Sequence, residues 1–258
     1  MSDRRRFTAI QIMRRLREAD LYYVSASTLA ALLDVPRARA YAMLRSLADQ
    51  ELVRPVEAGK YLILGLEPER VLSNPFFVAT RVVYPSYVSY WSALHFHNLT
   101  EQVPRTVFIA TTLQHSPVDF NGSRFVYVHL MPHKFFGYQR EPGDLPLLVA
   151  DVEKAIVDSL DQLRYAGGLS EAAKAIAKAG DRLELEQIVD YANRMNNRSL
   201  CSRLGYLLQL VNRPVEGLNT SLSFVLLDPA SKAEGPYDHR WRVRVNVPEQ
   251  TLLSWRES

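Results

Sequence analysis

The sequence predicts an α+β protein, with a small N-terminal domain followed by a larger mixed α/β domain whose second half is helical. Three observations lead there. Residues 25–65 read as helix, turn, helix and β-hairpin; residues 105–130 hold two runs rich in β-branched and aromatic side chains; from about residue 151 apolar positions recur at helical spacing. At 258 residues the chain is long enough for two cores.

The first helix is expected over residues 6–19, where Ala9, Ile12, Met13 and Leu16 share an inner face. Ser25 and Ser27 are candidate caps for a second helix carrying Leu29, Ala30, Leu32 and Leu33. Asp34-Val35-Pro36 ends it and opens a third, expected over 36–49. On that third helix Ala40, Met43, Leu44 and Leu47 fall on one side. Ala38, Tyr41, Ala42, Arg45 and Ser46 fall opposite, flanked by Arg37 and Arg39. Residues 52–56 and 60–64 then pattern as two strands around a tip at Glu57-Ala58-Gly59, where Gly59 supplies a positive φ. This is the element order of a winged helix-turn-helix, a groove-reading arrangement.

The outer face of the third helix suits double-stranded DNA. Long basic side chains reach phosphates or guanine edges, and small residues such as Ala38 and Ala42 let a helix approach closely. Arg37, Arg39, Tyr41 and Arg45 are therefore candidate groove contacts, Arg54 and Lys60 candidate wing contacts, and Arg4, Arg5 and Arg6 a candidate arm on the backbone. An arginine row is also the ordinary solvated face of a protein-interaction helix, and the residues alone leave both readings open. The charge distribution leans toward nucleic acid. Residues 1–64 hold eleven Lys or Arg against seven Asp or Glu, a balance of +4, so the net +3 of the chain leaves −1 for the remainder.

Residues 66–76, with Pro68 and Pro75, are expected to be the linker. Residues 77–83 read as a strand or buried extended run, and 85–98 as an aromatic helix. Strands are expected at 105–111 and 124–130, with a further short one at 132–138. Four helices follow: one ending before Gly167-Gly168, then 169–179, 183–193 and 197–210. Two strands, 222–227 and 240–247, close the chain. In the last, Arg240, Arg242, Arg244 and Asn246 alternate with Trp241, Val243, Val245 and Val247. That possible second basic surface fits RNA, DNA or an acidic partner, or the charged outside of an edge strand.

Several classes are disfavoured. No apolar run approaches the ~18 residues that cross a bilayer, and the basic start leads into a polar stretch, so a cytoplasmic protein with no membrane partner is expected. The single cysteine, Cys201, permits no intrachain disulfide and sits among leucines as a buried apolar residue would. No metal or cofactor site is expected: His129 and His133 flank Pro132, and His95 and His97 would point apart on a helix. No catalytic residues are assigned. Gly122-Ser123 lacks a following carboxylate pair to hold magnesium, and Asp151-Val152-Glu153-Lys154 has the wrong spacing for a nuclease.

The middle of the chain carries a family resemblance. The run from Tyr84-Pro85-Ser86-Tyr87 to Tyr90-Trp91-Ser92-Ala93-Leu94, then Leu99-Thr100-Glu101-Gln102-Val103-Pro104 and Ile109-Ala110-Thr111, resembles the AbiEi-like antitoxin family. Val152-Glu153-Lys154-Ala155-Ile156-Val157-Asp158 resembles that family's segment in which a Glu opens a helix and an Asp follows five residues later, although the family more usually has Arg where Lys154 stands. Arg203-Leu204-Gly205-Tyr206-Leu207-Leu208 resembles its Arg-x-Gly-Tyr-Leu-Leu signature. The likeness covers most of residues 1–211; the strands beyond about Leu218 match nothing in it. It implies a non-enzymatic transcriptional repressor and antitoxin of a viral-defence locus, with residues 77–258 as the antitoxin domain. Such a protein binds operator DNA with inverted repeats at its own promoter, as a homodimer or as cooperative monomers. It opposes a nucleotidyltransferase-like toxin without requiring direct contact. A stand-alone regulator, or an interaction adaptor with no toxin, is the alternative.

Overall fold

The computed structural model describes residues 7–102 and 105–256, so the expected arm at Arg4, Arg5 and Arg6 lies outside the described residues. Helix α1 (Ala9–Glu18) opens on a capping box, in which the Gln11 N–H donates to Thr8 Oγ1 at 3.3 Å and the Thr8 N–H to Gln11 Oε1 at 2.9 Å. Strand β1 (Tyr23–Ser25) follows; at three residues it is too short to show alternation in the sequence. Ser25 then caps α2 (Ala26–Leu33) by accepting from the Thr28 N–H at 3.1 Å, while Ser27 lies exposed inside the helix. Asp34 closes α2 in the left-handed region at φ 52°, and Pro36 leads into α3 (Arg37–Asp49). Strands β2 (Val53–Glu57) and β3 (Lys60–Ile63) turn at Gly59, with φ +70°. The three strands form an antiparallel sheet in the order β1-β3-β2. Pro55 thus sits on an edge strand, where a missing N–H is tolerated.

The core of this region gathers Ile12, Leu16, Leu29, Leu33, Ala40, Leu44, Leu47, Val53 and Ile63. The stretch expected as a linker is instead largely helical: α4 (Pro68–Leu72) and α5 (Pro75–Val82) occupy it and the expected extended run. Pro75 at the first turn and Asn74, whose side chain accepts from the Phe77 N–H at 2.9 Å, start α5. Phe77, Val78 and Ala79 are all buried, and an apolar run without one-sided periodicity reads equally as strand or buried helix. The chain divides into two compact units, one comprising Met1–Tyr84 with Pro117–Phe125, the other Pro85–Ser116 with Val126–Ser258. The piece Pro117–Phe125 holds β6 (Val118–Phe120) and the start of β7 (Ser123–His129), which pair as a hairpin.

In the second unit the expected aromatic helix is split into β4 (Ser86–Val88) and α6 (Tyr90–Phe96). β5 (Thr106–Thr111) pairs antiparallel with β4, and β9 (Leu147–Ala150) parallel with it. β8 (Tyr138–Glu141) forms a hairpin with β9, giving the strand order β7-β5-β4-β9-β8. The short strand expected at 132–138 is replaced by a 3-10 turn at Pro132–Lys134. The four helices expected next are present: α7 (Val152–Asp161), α8 (Leu169–Ala179), α9 (Leu185–Arg194) and α10 (Arg198–Leu210), with α7 packed against α6, α8, α9 and α10.

The closing strands are shorter than expected. β10 (Val225–Leu226), β11 (Tyr237–Asp238) and β12 (Val243–Arg244) form a small sheet in the order β10-β12-β11, ahead of α11 (Glu249–Leu252). The ladder stops at β12 because Arg242 turns to φ 54°, and because the Asn246 side chain bonds across the loop, donating to the Asp228 carbonyl at 2.8 Å. Among the described residues no helix is long and apolar enough to cross a membrane.

Candidate nucleic-acid interface

Helix α3 separates its faces as its sequence dictates. Ala40, Leu44 and Leu47 are fully buried and Met43 partly so, while Arg37, Ala38, Tyr41, Ala42, Arg45 and Ser46 are exposed and Arg39 is half-buried. The single acidic residue of the helix, Asp49, lies at its last position, so the first turns carry only positive charge. Pro36 provides no side-chain cap, and its carbonyl takes the Arg39 N–H at 2.9 Å and the Ala40 N–H at 3.1 Å, so only the N–H groups of Arg37 and Ala38 precede the helix's own bonding.

Two residues that the sequence did not single out shape this face. Tyr61 of β3 is buried, and its phenol lies beside Tyr41 and Arg45. Burial and Tyr41 push its pKa up while Arg45 opposes them, so the hydroxyl stays protonated at neutral pH. Asn121 is the other. It sits at φ 50° in the Asn-Gly turn between β6 and β7, a dipeptide that signals a hairpin but not its placement. Its side chain accepts from Arg54 Nη1 at 3.4 Å and donates to the Leu72 carbonyl at 3.3 Å.

The cations of β2 and β3 are consequently less available than those of α3. Arg54 is half-buried and engaged with Asn121. Lys60 is half-buried and pairs with Glu57 at 3.2 Å, and the same carboxylate oxygen accepts the Tyr23 hydroxyl at 2.6 Å. The geometry therefore brings Arg37, Tyr41 and Arg45 together as an open surface and places Arg54 and Lys60 in local bonds.

The second expected basic row keeps its alternation with buried residues but not a continuous strand. Arg240 and Arg242 are exposed, Arg244 is half-buried, and Trp241 and Val243 are buried beneath them. Only Arg244 shares a regular strand with Val243.

Three groups singled out for their chemistry, Asp151, Glu153 and Cys201, lie in structural contacts. Gly122-Ser123 lies at a strand-to-strand turn rather than ahead of a helix. Asp151 caps α7, accepting from the Lys154 N–H at 2.8 Å, and takes the Tyr191 hydroxyl at 3.0 Å on its other oxygen. Glu153 accepts from the Glu184 N–H at 2.9 Å. Cys201 is buried, which pushes its thiol up to about 11. Among the described residues no three His, Cys, Asp or Glu are grouped as a metal site. No protein-family model and no curated protein matches the chain.

Proposed function

We propose that this protein is a cytoplasmic, sequence-specific DNA-binding repressor of the antitoxin type, whose first unit acts as a winged helix-turn-helix. The observation that carries the reading is the outer face of α3, where Arg37, Tyr41 and Arg45 stand exposed around the small residues Ala38 and Ala42. A major groove admits a helix of this shape, Arg pairs bidentately with guanine, and small residues allow the close approach such pairing needs. The wing strands would lie along the backbone, with Arg54 and Lys60 exchanging their present partners for phosphates. The partner is operator DNA with inverted repeats, and the resemblance described above supports opposition to a nucleotidyltransferase-like toxin that need not be touched.

The test is retardation of a fragment carrying inverted repeats from the protein's own promoter. Arg39→Ala with Arg45→Ala should weaken binding, each lost base contact costing about 1–3 kcal/mol. The logarithm of affinity should fall with the logarithm of salt, with a slope of roughly −0.9 per phosphate neutralised. A double variant binding as tightly as wild type would remove α3 from the interface, and a flat salt response would remove the backbone contacts.

A further inference from the structure

We propose that the small C-terminal sheet is a binding site for unpaired RNA, built from Phe224, Tyr237, His239, Arg242 and Arg244. This goes beyond the DNA reading and rests on different residues.

Pairing creates the surface. β10 runs parallel to β12, and the Val225 N–H donates to the Arg242 carbonyl at 3.0 Å, which sets Phe224 beside Arg242. β11 runs antiparallel to β12 with Tyr237 opposite Arg244. The inward positions are filled by Trp241, Val243 and Leu227, all buried, so Phe224, Tyr237, His239 and Arg242 are left outside, with Arg244 half-buried and its Nε donating to the Gly235 carbonyl at 3.4 Å.

The result is a surface of alternating rings and guanidinium groups. Phe224 and Tyr237 are 36% and 51% exposed. Their rings meet edge to face at 4.7 Å, and the His239 ring stands edge-on to Phe224 at 5.2 Å. The Arg242 guanidinium lies 5.8 Å from the Phe224 ring centre and that of Arg244 5.2 Å from Tyr237. Among the described residues neither arginine makes an ion pair. The neighbouring carboxylate, Asp238, accepts the Trp241 N–H at 2.8 Å.

This chemistry selects its ligand. Strands of two residues offer neither a helix nor a long ribbon to enter a duplex groove. An acidic peptide would use the arginines and leave the ring faces idle. Splayed bases use both, since they stack on aromatic rings and arginine planes while guanidinium groups take the phosphates. His239 places a hydrogen-bonding nitrogen beside the same rings, a partner for the ribose 2′-hydroxyl that DNA lacks.

The experiment uses the full chain carrying Arg39→Ala and Arg45→Ala, to suppress the proposed duplex site, and reads the anisotropy of a fluorescein-labelled oligo(U) of about twelve nucleotides. Binding is expected at low salt, weaker for oligo(dT) of equal length and resistant to competition by polyglutamate. In that background Phe224→Ala and Tyr237→Ala should each lower affinity by roughly 5- to 150-fold, whereas Tyr237→Phe keeps the stacking face and should hold it within about twofold. Should either alanine variant fail to fold by circular dichroism, Arg242→Gln with Arg244→Gln carries the same expectation of loss. In the chain with α3 intact, Tyr237→Ala should leave operator binding unchanged, so the two sites fail separately. Absence of oligo(U) binding, equal or tighter binding of oligo(dT), displacement by polyglutamate, or indifference to these substitutions would each overturn the proposal.

Discussion

Lys154 and Asp158 form an ion pair with neither side chain exposed to solvent. The Asp158 carboxylate also accepts the Ser89 hydroxyl at 2.6 Å and the Tyr87 hydroxyl at 3.2 Å, and the Lys154 ammonium stands 4.8 Å from the centre of the Phe136 ring. Burial pushes the carboxyl up from its ordinary value, with Lys154 and Ser89 pulling against it. Asp158→Ala would strand the lysine charge and should cost about 3–5 kcal/mol in urea unfolding, whereas Lys154→Met with Asp158→Asn, which keeps an oxygen acceptor for the Ser89 hydroxyl, should cost less. At the surface Glu101 behaves oppositely. Hydrogen bonds from Lys174 and Lys178, at 2.8 Å each, lower its pKa to about 2. Its stabilisation is present above the ordinary 4.5 and is lost as pH falls through about 2. The difference in melting temperature between wild type and Glu101→Gln should therefore shrink on acidification. It should also shrink in high salt, because Glu101 is exposed.

Helix α10 organises the end of the chain. Gly205 lies against the Trp241 ring, where a Cβ would overlap it, and the Trp241 indole N–H donates to Gln209 at 2.8 Å. Arg203 donates to the Leu226 carbonyl at 3.1 Å and the Tyr206 hydroxyl to Glu249 at 3.1 Å. Gly205→Ala should thus lower stability by about 1–3 kcal/mol and increase Trp241 fluorescence quenching by water, read in thermal and fluorescence melts. Helix α8 to its terminal residues and the buried stripe of α3 were legible in the sequence. Apolar periodicity marks both helices locally, and Gly168 and Gly180 bound α8. The split of residues 85–98 into β4 and α6 was not, because Tyr87 and Tyr90 are buried whichever element they join. The closing strands were over-read, since alternation from Arg240 to Val247 is preserved in the burial of Trp241 and Val243 without a ladder to match. On the candidate interface, the exposure of Arg37, Tyr41 and Arg45 follows from helical spacing. The engagement of Arg54 by Asn121, 67 positions away, follows from no local signal.

At the scale of the whole molecule, the first unit is discontinuous in sequence. Pro117–Phe125 belongs with residues up to Tyr84, and Asn121 supplies bonds to both Arg54 and Leu72. A fragment ending at Tyr84 lacks that piece. It should unfold at lower urea than the same residues do in the full chain, as read by amide hydrogen exchange of β2 and α4. Equal protection would mean that Pro117–Phe125 contributes nothing to the unit. Under the proposed DNA reading, the arrangement bears on how specificity could change. A single exchange of the segment up to Tyr84 would part Arg54 from Asn121, so, if α3 reads an operator as proposed, point substitutions on its outer face would change that preference without disturbing this bond.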